Sequence, residues 1–355
     1  MTAATRASRG AAGRRRRAAS VVAGVLLVAA GVYGVSRLGD AAGGGPGGAN
    51  GDGRAPRASE LLVLQVVGTH DPLLALIGDG REERPPGFFS VPFDLMLTVP
   101  GQGEVMASDV AGLGAETVRV ALSNTFGTWA EHVAVMNLEG LSAVVDRGAG
   151  IRVEVPGFYV TEAGNLGPGG ARLTGEQVVA LLSLEEDRAE ARWASVVQGL
   201  LRGPVRLGGE DLAETDGIAG VRRVLKGARG AAIAAFPTQS VAGSVTVPLQ
   251  PDLDRQVARL FGSRPPVPVI VQNGAGAPGL GQDVAAALLP LGFRVVLSQN
   301  AEPFGYERTR VVANSDAIAD ARRIQEALGV GRVRVSQVPS GIGDITIIVG
   351  EDFTG

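Results

Sequence analysis

Apolar residues run almost unbroken from Ala18 to Ser36 (AASVVAGVLLVAAGVYGVS), an uncharged stretch set between Arg14–Arg17 and Arg37. A helix over these residues spans about 28 Å, the thickness of a bilayer's hydrocarbon. The pattern predicts one membrane span over residues 18–36. Arginines are retained on the cytoplasmic side, so Arg6, Arg9 and the Arg14–Arg17 block place the tail of residues 1–17 inside and the bulk of the chain outside the cell membrane. The competing reading is a cleaved signal peptide, whose apolar core is about 7 to 15 residues and ends in a small-x-small site. Here Tyr33, Val35 and Arg37 follow Ala29 and Ala30, which favours a retained anchor.

Beyond the span the pattern changes. Residues 37–58 are a Gly-rich tether with too few apolar positions to order themselves. Leu61–Val67 is a continuous apolar run that reads as a strand covered on both faces, and Leu95–Val99 reads as its neighbour, with a Pro-rich, charged loop between them. Helical spacing marks residues 115–123 and the face of Leu138, Leu141, Val144 and Val145. His132–Met136 and Ile151–Val155 read as strands. Thr174 with Gln177 forms a capping-box pattern opening a helix expected to run on to Leu201. Residues 218–225 and 252–261 read as helices, and 231–237 and 244–248 as strands.

A Pro-rich hinge at 263–268 then separates a first domain, 59–262, from a last module, 269–355. The module's pattern is βαββαββ: strands near 267–272, 293–297, 308–313, 332–337 and 344–349, with helices over 281–291 and after Asn314 or Ser315. The expected fold class is α/β (α+β): the transmembrane helix, a mixed α/β domain and a small two-layer sandwich.

Composition narrows the functional classes. The 355-residue length suits two domains, and 45% hydrophobic residues are enough for real cores. The net charge of -3 argues against a nucleic-acid-binding ectodomain. With no cysteine, the chain uses neither disulfides nor thiol chemistry. Lys226 is the only lysine, which reads as high-GC coding bias and makes an individual arginine a weak signal.

Two stretches resemble a known family. Asn137–Ile151 (NLEGLSAVVDRGAGI) and Leu173–Gln177 (LTGEQ) are similar in order and spacing to the LytR-CpsA-Psr proteins of the cell wall, over about residues 60–202. The resemblance implies a single N-terminal anchor, an apolar pocket able to hold a polyprenyl chain, and transfer of glycopolymers from a polyprenyl-pyrophosphate carrier to peptidoglycan. At the family's motif positions the carboxylates remain and the arginines do not. Arg-x-Asp falls on Pro92-Phe93-Asp94, Pro-Arg-Asp on Ala107-Ser108-Asp109, and Arg-x-Arg near Ser183-Leu184-Glu185. Pyrophosphate facing uncompensated carboxylates is repelled. Val269–Leu280 (VIVQNGAGAPGL), Leu291-Gly292-Phe293 and the closing Ile347–Phe353 (IIVGEDF) resemble the C-terminal domain found in many of these proteins.

Other motifs carry less. Gly274-Ala275-Gly276-Ala277-Pro278-Gly279 matches a dinucleotide-binding turn, but the second strand ends in Ser298, Gln299 and Asn300 with Glu302 too late for a ribose, so a tight turn is the better reading. His70 and His132 have no third ligand to make a metal site or triad, and Trp129 and Trp193 read as packing.

The expectation is therefore a non-catalytic binding or scaffold protein of envelope glycopolymer assembly with no cofactor. Its partners would be the membrane, polyprenyl-linked glycan or envelope proteins, and no nucleic acid. The alternative is a phosphotransferase with Asp94 and Asp109 holding Mg2+ and Arg188 and Arg192 on the pyrophosphate.

Overall fold

The computed structural model describes residues 58–81, 84–185, 189–241, 245–336 and 342–355. The expected span at 18–36 lies outside them, and no described helix is long and apolar enough to cross a membrane.

The apolar run β1 (Leu61–Val67) lies within a six-stranded sheet. Its neighbours are β2 (Leu73–Gly78), antiparallel, and β6 (His132–Asn137), parallel with Leu62 opposite His132. The sheet continues through β3 (Gly87–Val91) to β12 (Ala232–Ala234) on one side, and from β6 to β11 (Leu212–Thr215) on the other. Helices cover both faces. Leu62, Leu64 and Val66 pack with the helices at 138–147, 175–182, 189–202 and 218–227. Leu61 and Val63 pack against those at 115–126 and 250–261. Successive side chains point to opposite faces, so a strand with two covered faces has no polar positions to alternate with.

Two expectations fail here. Leu95–Val99 is not a neighbour of β1: β4 (Met96–Val99) pairs with β5 (Gly103–Met106). The stretch expected to be a loop contains β2 and β3, both fully buried, so Pro72, Pro85 and Pro86 punctuate strands rather than replace them. Smaller pairings complete this region: β7 (Ile151–Val155) with β10 (Gly169–Leu173), β8 (Tyr159–Thr161) with β9 (Gly164–Leu166), and β13 (Thr238–Val241) with β14 (Val245–Pro248).

The capping box forms as expected: Gln177 N donates to Thr174 Oγ1 at 3.4 Å and Thr174 N to Gln177 Oε1 at 3.1 Å. That helix ends at Leu182, however, and a second one occupies Ala189–Arg202.

The last module holds β15 (Val267–Asn273), β16 (Phe293–Asn300), β17 (Arg310–Ala313), β18 (Arg332–Val335) and β19 (Ile345–Val349) in the order β16-β15-β19-β17-β18. Helices at 280–288 and 318–328 join the two parallel pairs, which is the βαββαββ pattern read from sequence. Val284 and Leu288 are buried, whereas Leu291, expected on the same face, sits in a short 3-10 turn and is exposed.

Helix 115–126 is shared by both regions. Only Glu116 and Arg119 in it are not buried, and Val120 belongs to the core of the last module. Asn124 pairs with β16 as a strand residue would, accepting from Val295 N at 2.8 Å and donating to Val295 O at 2.9 Å. Arg294, 3% exposed, donates to the carbonyls of Asn124 and Thr125 at the helix's C-terminal end and to both carboxylate oxygens of Asp254. The cation thus sits at the negative end of the helix dipole. Gly127 (φ +62°) is required beside it, because a Cβ there would lie 2.3 Å from Arg294 Nη2.

Candidate functional site

The turn after β3 carries Asp94, half-buried, whose Oδ2 accepts from Thr246 Oγ1 at 2.7 Å. Ala107 N and Ser108 N donate to the carbonyls of Leu95 and Phe93, which brings the short helix Ala107–Val110 beside the turn. Asp109 lies on that helix, exposed. The two backbone segments are thereby adjacent.

The 189–202 helix brings an acid within electrostatic range of Asp94. Burial raises the Glu190 pKa, and the negative charge of Asp94 raises it further. Arg192 is on the same helix but fully buried. Its Nη2 donates to the Leu184 carbonyl at 2.7 Å, and its guanidinium lies over the Tyr159 ring, 5.4 Å from the centroid. Arg192 therefore braces the break between the two helices. Arg188 lies outside the described residues. Glu190 and Thr246 were not singled out from sequence. Glu190 sits two residues from Arg192, but its closeness to Asp94 depends on the helix break.

As for Mg2+, no group of three His, Asp or Glu side chains that could hold a metal occurs among the described residues. Asp94 accepts one hydrogen bond and Asp109 is exposed.

A small cavity lies between the six-stranded sheet and the helices at 138–147, 189–202 and 218–227. The cavity there, lined by Leu64, Ile77, Met136, Val197 and Val221 among others, measures about 20 Å³. That is roughly the space of one water molecule.

The histidines take structural roles. His132 Nε2 lies 2.8 Å from Glu60 Oε1 at the start of β1, where Arg223 also binds Glu60. The Arg223 hydrogen bond lowers the Glu60 pKa to about 2. His70 is exposed, 3.4 Å from Asp71. Trp193 is buried and donates to the Leu74 carbonyl at 3.0 Å, and Trp129 lies beneath the Arg119 guanidinium.

The glycine-rich turn binds itself. Asn273 Oδ1 accepts from Gly276 N at 2.8 Å, its Nδ2 donates to the Ala277 carbonyl at 2.7 Å, and Gly274 N donates to the Val349 carbonyl. Backbone amides engaged in this way are not free to cradle a phosphate.

No curated protein matches the sequence. Among solved structures, TagU of B. subtilis aligns at 14% identity over 59% of this chain and 100% of its own, with a TM-score of 0.47. A LytR-Csp2A-Psr enzyme from Actinomyces oris aligns at 17% identity over 60% of this chain and 92% of its own, with a TM-score of 0.45. The LytR-CPS2A-psr family protein YwtF (TagT), solved with octaprenyl pyrophosphate, aligns at 14% identity over 61% and 95%, with a TM-score of 0.48. Over residues 266–353, the five-stranded module, the chain is similar to the family described as LytR cell envelope-related transcriptional attenuator.

Proposed function

We propose that this chain is a membrane-anchored, extracytoplasmic binding or scaffold protein of cell-envelope glycopolymer assembly that performs no chemistry of its own. The envelope assignment is supported by the match of the last module and by the resemblance of residues 60–202 described above. The non-catalytic reading is carried by one observation. Glu190 lies within electrostatic range of Asp94, and Arg192 on the same helix is buried and committed to Leu184 and Tyr159. Among the described residues neither acid has a guanidinium in ion-pair range, so a pyrophosphate there would meet uncompensated charge.

The second reading, a glycopolymer phosphotransferase, is supported by the adjacency of the segments bearing Asp94 and Asp109. Calorimetric titration of the full chain in detergent micelles with octaprenyl pyrophosphate, with and without Mg2+, separates the two. The expected result is no Mg2+-dependent heat, with Asp94→Asn, Asp109→Asn and Arg188→Ala superimposing on the parent. Tight Mg2+-dependent binding that Asp94→Asn abolishes would overturn the scaffold reading.

A further inference from the structure

The last module carries an open cleft of about 490 Å³ between the 303–309 loop and the β17–β18 edge of its sheet. Arg308, Arg310, Arg332 and Arg334 line it, all exposed. Several arginines elsewhere pair with acids, among them Arg81 with Asp79, Arg119 with Glu116, Arg223 with Glu60 and Arg294 with Asp254. Among the described residues none of the four cleft arginines has a carboxylate in ion-pair range, although Glu307 shares the lining.

Register aligns them. Arg310 stands opposite Arg332, and Arg334 opposite Val312, so these three arginines share one sheet face while Val311 and Val333 turn to the core and the helices. Neighbouring strands lie about 4.8 Å apart, so like charges directly opposite repel unless an anion bridges them. Coding bias accounts for the number of arginines in the chain but not for their alignment along one face without counter-charges.

The cleft also has an aromatic end. Phe304 is 54% exposed, and Tyr306 stacks under the Arg310 guanidinium, 4.8 Å from its centroid. Guanidinium forks recognise phosphate and carboxylate oxygens, and an exposed ring offers a flat apolar face on which a sugar ring can pack.

We infer that this cleft is a binding site for an anionic glycan, a sugar chain bearing phosphodiester or carboxylate groups, with Arg310, Arg332 and Arg334 on the anions and Phe304 on a sugar face. The choice of a sugar chain over an acidic peptide rests on the envelope reading above; the anion specificity does not.

The test is fluorescence anisotropy of the full chain with tagged glycerol-phosphate and galacturonate oligomers, which separate phosphodiester from carboxylate recognition. Neutral dextran, poly-glutamate and a DNA oligonucleotide serve as comparisons. The expected result is binding of at least one anionic glycan over all three comparisons. The Arg310→Gln/Arg332→Gln/Arg334→Gln variant should weaken it by roughly tenfold or more. Phe304→Ala should weaken glycan binding and leave poly-glutamate unmoved. The single variants Arg310→Gln and Arg334→Gln, on exposed side chains, give the same reading if the triple variant melts early by circular dichroism. Binding unchanged in these variants, no glycan binding, or equal binding of poly-glutamate or DNA would overturn the proposal. The lipid titration is independent, so failure here and failure of the scaffold reading are distinguishable.

Discussion

The two sheets differ in what covers them. The six-stranded sheet has helices on both faces, and its central strand β1 is buried along nearly its whole length. The five-stranded sheet has helices on one face and leaves arginines on the other at its β17–β18 edge. The contrast teaches where recognition is available: Arg192 of the first region is buried and spent on an internal contact, while Arg310, Arg332 and Arg334 of the last module are turned outward with, among the described residues, no carboxylate in ion-pair range.

The largest test of this contrast is Trp193→Ala. It opens a void in the doubly covered region and orphans the Leu74 carbonyl, and should cost about 3–5 kcal/mol in denaturant unfolding. A loss near 1 kcal/mol would mean that this interior is looser than its packing indicates.

Next, Arg294→Met removes the cation joining the regions and leaves Asp254 and two helix-end carbonyls without it, at a cost of about 3 kcal/mol. Calorimetry should show the melting endotherm split into two. A single transition at unchanged temperature would refute the coupling.

The smallest effect is at Glu60. Its folded pKa is lowered from 4.5 to about 2, so its stabilisation is present above pH 4.5 and is lost as pH falls through 2. Arg223 is largely solvated, so the effect stays under about 1 kcal/mol. The parent-minus-Glu60→Gln difference in stability should shrink over that window. Glu104 and Glu190, raised by burial, have the opposite sign, and subtracting the variant cancels them; Glu131, whose pKa the charge of Glu60 also raises, contributes to the difference. A difference flat with pH would remove the ion pair from the account.

Much of the architecture was legible. The run at β1, the Thr174–Gln177 box and the strand-helix alternation of the last module are local patterns, and local patterns survive folding. What escaped was decided by distant partners. β2 and β3 are bracketed by prolines, and pairing with distant neighbours, β2 with β1 and β3 with β2 and β12, makes them strands. The break after Leu182 has no Gly or Pro to announce it and is held by Arg192 reaching back to Leu184. The candidate site was legible only as a set of residue types: Asp94 was named, but not Glu190, whose pKa its charge raises. The arginine cleft was invisible because composition lists arginines without saying which stand opposite one another.

The shared helix at 115–126 has a consequence for dividing the chain. A fragment ending at Phe261 would expose Val120 and leave the amide of Asn124 presenting a donor and an acceptor at strand spacing, a template for another chain's edge. The complementary fragment, beginning in the Pro-rich segment, would carry Arg294 without its carboxylate and Val295 without its pairing partner. Cutting where the sequence looks most severable would produce two self-adhesive halves, and the proline segment is better regarded as a strap across one body than as a joint between two.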